Sequence, residues 1–173
     1  MEGLFWQLNS INEYFGILIT WLFVFAFLFT LSIAINKQDK SRVHLCFIMM
    51  ASYTSSLFMD ITTAAPHLKL FIFDALTIAA ILMWRIFLGR KIPYGFYYLI
   101  VGLCINASLF MGMYIDNTLY GNWDFWWLWM LYGFLMPIID ITMALILIIN
   151  KDLLKLVWLI KKLKTSSISK LIA

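Results

Sequence analysis

Three carboxylates, Asp60, Asp74 and Asp140, lie inside long apolar stretches of this chain. An ionised group is costly in hydrocarbon, so each is a functional candidate by default. Asp60, His67, Lys69 and Asp74 surround the junction of two stretches and should converge at one mouth. Carboxylates and an imidazole suit zinc or manganese, or a proton entry site. Asp-x6-His-x6-Asp is no established ligand spacing, however. The plainer reading is a polar cluster in which His67 and Lys69 neutralise two carboxylates. No metal and no cofactor is expected.

Ser52, Ser56 and Asp60 recur every four residues and share one helix face. Such a polar stripe lines a hydrated path or forms a packing seam. The seam is favoured, because hydroxyl residues let membrane helices approach closely. Gly133 and Pro137 form a second device. Pro137 cannot donate to the Gly133 carbonyl, so a kink there frees an acceptor near mid-membrane. Broken helices of that kind line sites in transporters, although prolines also occur in membrane helices without that role.

Asp140 needs a partner. Counted at 1.5 Å per residue, Asp140 and Arg85 both lie about 22 Å below the outer ends of their stretches, and Asp74 only about 6–8 Å below its own. Arg85 and Asp140 are therefore expected to form an intramembrane ion pair. Asn106 and Ser108-x-x-x-Gly112 mark a weak small-residue packing contact. Cys46 and Cys104 stand apart and form no Cys-x-x-Cys, so they read as small apolar side chains. No His-Glu-x-x-His, Gly-x-Ser-x-Gly, phosphate loop or dinucleotide fingerprint is present.

The elements that position these residues follow from composition. The 173 residues are 64% hydrophobic and 13% charged, with mean hydropathy +0.90. Soluble chains are roughly half apolar and about a quarter charged, so the bilayer must be the solvent here. Five stretches have the length of a spanning helix: Tyr14–Ile35, Val43–Ile61, Leu70–Leu88, Pro93–Ile115 and Phe125–Ile149. The links are too short to hold a soluble catalytic domain. Glu2 and Glu13 precede the first stretch, so it does not read as a cleaved secretory signal.

Charge gives an orientation. Lys37, Lys40 and Arg42 follow the first stretch, and Arg85, Arg90 and Lys91 close the third. Lys151, Lys155, Lys161, Lys162, Lys164 and Lys170 follow the fifth, which leaves only Lys69 on the other side. The positive-inside rule places the basic side in the cytoplasm and the N-terminus outside. Tyr120, Trp123, Trp126, Trp127 and Trp129 gather at the outer end of the fifth stretch, as interfacial anchors do. The tail mixes Leu153, Leu154, Val157, Trp158 and Ile160 with lysines, which suits a helix lying on anionic lipid. Nothing in it indicates nucleic acid.

The expected fold is an all-α, up-down bundle of about five transmembrane helices over residues 1–149. A basic amphipathic interfacial helix over 150–173 completes it. The expected location is the plasma (inner) membrane. The leading functional expectation is association, as an accessory or assembly subunit binding other membrane subunits or a second copy. The runner-up is a small proton- or cation-coupled transporter or channel subunit. A membrane-embedded enzyme acting on lipid comes third, with Asp60, His67 and Asp74 as its site.

Overall fold

The computed structural model describes residues 2–59, 65–88, 92–122, 124, 126–160 and 162, with side chains from Tyr14 onward. Among the described residues every regular element is a helix and there are no strands. In order they are α1 (Glu2–Ala34), α2 (Ser41–Ser56), α3 (Pro66–Phe87), α4 (Tyr94–Tyr114), a π-helical turn (Ile115–Leu119) and α5 (Trp127–Ile149). Four of these are long and apolar enough to cross a membrane: α1 from Tyr14, α3, α4 running into the π turn, and α5. At 16 residues α2 is about 24 Å long, short of the roughly 30 Å of a hydrocarbon core. The expected stretch Val43–Ile61 thus ends early as helix, at Ser56.

Local chemistry sets the ends. Pro66 opens α3, where its missing N–H and fixed φ suit the first turn. Asn150 closes α5 in the left-handed conformation, φ 54 and ψ 42, a conformation that asparagine tolerates better than most residues. Arg42 lies inside α2 and its guanidinium donates to the Ile148 carbonyl at 3.5 Å, near the end of α5. Thr20 and Thr30 donate to the Gly16 and Ala26 carbonyls of their own helix, which satisfies both hydroxyls within apolar α1.

The helices form a closed ring. Each packs on its sequence neighbours, α1 also packs on α5, and α2 touches α4 across the middle. The core runs down the inner faces: Phe23 and Ala26 of α1, Leu45 and Met49 of α2, Ile81 and Trp84 of α3, Leu99 and Leu103 of α4, Met143 and Leu147 of α5. Spacings of three and four keep each set on one face. The outward faces carry Trp21, Phe25, Leu76, Met83, Phe134 and Ile138, all exposed, as lipid-facing residues are. Gly102 lets α4 and α5 meet. A Cβ there would run into Met143 and stand 3.1 Å from Ile139 Cγ2.

The basic residues Lys37, Lys40 and Arg42 lie at the end of the ring where α1 stops and α2 begins, called here the basic end. There the segment after α5 is clamped to α4. Tyr98 donates to Asp152 at 2.6 Å, and the N–H groups of Val157 and Trp158 also reach that carboxylate. The chain is helical again from Leu156, with Val157 buried against Tyr98 and Ile146. Half of the expected amphipathic tail, residues 161 and 163–173, lies outside the described residues.

Candidate functional site

Four helices bring polar side chains to one level inside the ring. Asp140 of α5 is only 4% exposed. Its Oδ1 accepts two hydrogen bonds, from Tyr53 of α2 at 2.6 Å and from the amide nitrogen of Asn106 of α4 at 2.7 Å. Asp74 of α3 lies within electrostatic range of Asp140. Tyr53 and Tyr132 lie within range of both carboxylates. Asn106 is 0% exposed. Its nitrogen must face the carboxylate, which leaves its oxygen as an acceptor. That Asn106 Oδ1 and the Oδ2 of Asp74 are both buried, and neither receives a hydrogen bond among the described residues.

Helix geometry fixes the depth. At 1.5 Å per residue, Tyr53 and Asn106 lie about 18 Å from the basic ends of α2 and α4, Asp74 about 20 Å from that of α3, and Asp140 about 14 Å from that of α5. In a hydrocarbon slab of about 30 Å this is the middle. The two carboxylates therefore lie near the middle of the length of their helices.

Asp140 takes its described hydrogen bonds from neutral groups, not from the expected Arg85. The reason is a helix start. α3 begins at Pro66 rather than Leu70. Four extra residues put Asp74 about 12 Å below the outer end, and Arg85 about 28 Å below it. Thr77 is level with Ser52, the residue beside Tyr53. Arg85 is two turns further on, about 12 Å nearer the basic end.

The other expected residues fall as follows. Ser52 meets Thr77 at 2.6 Å, and Thr77 in turn donates to the Phe73 carbonyl at 2.9 Å. Ser52 is therefore the donor, and this part of the stripe is a seam between α2 and α3. Ser56 turns back to the Tyr53 carbonyl at 2.8 Å. Asp60 lies outside the described residues. His67 and Asp74 are seven residues apart on one face of α3, about 10 Å along the axis. Tyr132 bridges them: its ring meets His67 at 5.8 Å and it senses the Asp74 charge. Lys69 is exposed. Pro137 sits inside α5, and Gly133, two turns from Asp140, is exposed with open space around it.

Sequence reasoning missed Tyr53, Thr77 and Tyr132 and gave Asn106 only a weak role. The available signal was Asn106 itself, since a primary amide in an apolar helix needs partners. A second polar knot also went unread. Asp116, in the π turn, accepts from Trp126 Nε1 at 2.7 Å and from Asn122 at 3.0 Å, tying α4 to the start of α5.

No family model, curated protein or solved structure matches the chain.

Proposed function

We propose that the chain is a multi-pass integral membrane protein with five crossings, and that it works as a small transporter or channel subunit coupled to protons or cations. The observation that supports this reading is the pair Asp74 and Asp140, within electrostatic range of each other midway along the helices, with Tyr53 and Asn106 both donating to Asp140. Association, the leading expectation from sequence, supposed that the polar residues are spent as helix contacts. Ser52 and Thr77 are spent that way. Two carboxylates at one level are not, because a seam gains nothing from a second buried charge. The lipid-enzyme reading weakens too, since His67 stands about 10 Å from Asp74, beyond direct proton transfer.

In this reading α2 and the turn that follows it, residues 57–59, form the second crossing. The basic end faces the cytoplasm of a plasma (inner) membrane, by the positive-inside rule. The lysines after α5 then lie against anionic lipid, with Trp158 and Lys162 stacked 4.9 Å apart. His67 and Tyr132 lead from the opposite end towards the carboxylates.

The test is reconstitution of the purified chain into vesicles holding a pH-sensitive or cation-sensitive dye, with a gradient imposed across them. Wild-type protein should dissipate the gradient. Asp74→Asn and Asp140→Asn should not, while eluting from size-exclusion chromatography as wild type does. Wild-type flux no greater than in empty vesicles, or undiminished flux through both variants, would overturn the proposal. Cysteines placed at Tyr120 and Lys161 test the orientation, and labelling of both from one side refutes it.

A further inference from the structure

We infer that the mid-membrane cluster is a binding site for a dehydrated monovalent cation of the sodium class, held by the carboxylates of Asp74 and Asp140 and the side-chain oxygen of Asn106. This rests on the transport reading above and names the ion for it.

The first argument is a count of donors and acceptors. Both hydrogen-bond donors of the knot, the Tyr53 hydroxyl and the Asn106 amide nitrogen, go to one atom, Asp140 Oδ1. Two buried acceptors then face no donor, Asp74 Oδ2 and Asn106 Oδ1. Buried polar atoms are nearly always paired. What this site lacks is therefore positive charge, and Asn106 is wholly enclosed. An acid cluster alone would not carry this point. The amide oxygen does, because it is a buried neutral ligand without a donor, and its own nitrogen is fixed on Asp140, which places it beside that carboxylate.

The second argument is the donor set. It is all oxygen, which suits hard cations rather than zinc, copper or iron. Among the described residues no group of three or more His, Cys, Asp and Glu could hold such a metal. Calcium takes six to eight oxygens, more than three side chains supply, and magnesium keeps several waters. A small monovalent cation fits what remains. It neutralises one carboxylate, and a proton on the other completes neutrality. Ion and proton then compete for the same oxygens, which is the coupling that the transport reading needs.

The third argument is position. The ligands come from α3, α4 and α5, while α2 supplies only a donor to Asp140 through Tyr53. The ligands thus come from α4 and from the two helices that flank it. The ion's arrival draws Asp74 towards Asp140 against their mutual repulsion.

The experiment uses the full chain in mild detergent. Thermal unfolding is followed in sodium, potassium and choline chloride at matched ionic strength, at neutral and at acid pH. Sodium at about a hundredfold excess over its Kd should raise Tm by roughly 5–10 °C relative to choline. The gain should shrink as pH falls. Asp74→Asn and Asn106→Leu should each lose the sodium-dependent shift, while Ser52→Ala keeps it. If Asn106→Leu does not fold, Asn106→Ser, which retains an oxygen, should bind more weakly without losing the response. Equal wild-type Tm in all three salts overturns the cation site. If Tm then still rises with acidification, the proton form of the transport reading stands; if it responds to neither, both readings fall. A sodium shift that survives in both Asp74→Asn and Asn106→Leu also overturns the site.

Discussion

Replacing Tyr53 by Phe removes one hydroxyl and little else, because the ring remains packed on Phe23 with centroids 4.4 Å apart. The hydroxyl donates to Asp140 Oδ1 at 2.6 Å, inside the ring of helices. Side-chain hydrogen bonds between membrane helices average about 0.6 kcal/mol and reach about 1.7. A short bond to a carboxylate belongs near the top of that range, since ionised partners strengthen it. Tyr53→Phe should therefore cost about 1.5 kcal/mol, close to tenfold in the folding equilibrium. In an Asp140→Leu background the same change should cost almost nothing, because the hydroxyl has already lost its acceptor. The cycle is measured by equilibrium unfolding in mixed micelles of mild detergent and SDS, with four proteins compared. Asn106→Leu with Asp140→Leu should show similar coupling. Arg85→Met with Asp140→Leu should be additive within about 0.3–0.5 kcal/mol, as expected for well-separated sites. Additivity for Tyr53 with Asp140, together with coupling for Arg85 with Asp140, would refute the reasoning and restore the charge pair.

Three other predictions follow from separate contacts. Gly102→Ala must displace Met143, at about 1–3 kcal/mol of overpacking, offset by about 1 kcal/mol of helix propensity; Gly102→Val, which must also move Ile139, should be clearly worse in the same micelle assay. Slight burial pushes the Asp152 carboxyl up, but the hydrogen bonds from Tyr98 and from the N–H groups of Trp158 and Val157 outweigh it and hold the group below its ordinary 3.8. The folded pKa is thus the lower one, so its stabilisation is full above 3.8 and is lost as pH falls through the folded value. Hydrogen exchange at Val157 and Trp158 should accordingly stay slow at neutral pH and speed up only in acid, whereas Asp152→Asn should be fast throughout. Trp126→Phe removes a 2.7 Å bond to Asp116 and should cost about 1 kcal/mol, read as earlier unfolding of the α4–α5 link.

The apolar stretches and the short links between them were legible because lipid imposes length and helicity on sequence. Their ends were less so. Hydropathy misses the first turn of α3, since Pro66, His67 and Lys69 lower it, yet proline at that position starts a helix. The resulting shift of about 6 Å created the false level match of Arg85 with Asp140. Asp74 and Asp140 stood out as charges in hydrocarbon. Their meeting did not, because no local pattern says which helices adjoin in the ring. Tyr53 was invisible for another reason: a tyrosine in an apolar run reads as a ring, and its hydroxyl matters only once a carboxylate is opposite it.

The closed ring also orders events in time. Chains are made from the N-terminus, and α2, α3 and α4 each adjoin a helix already present. Tyr53, Asp74 and Asn106 are therefore in place before Asp140 exists. The last helix then does two things at once: it brings the acceptor for Tyr53 and Asn106, and it shuts the gap between α4 and α1. A nascent chain stopped after α4 presents an amide and a phenol with no carboxylate between them, on an open cleft flanked by apolar helices. The amide nitrogen and the phenol gain their acceptor only when α5 arrives, in the same step that closes the ring.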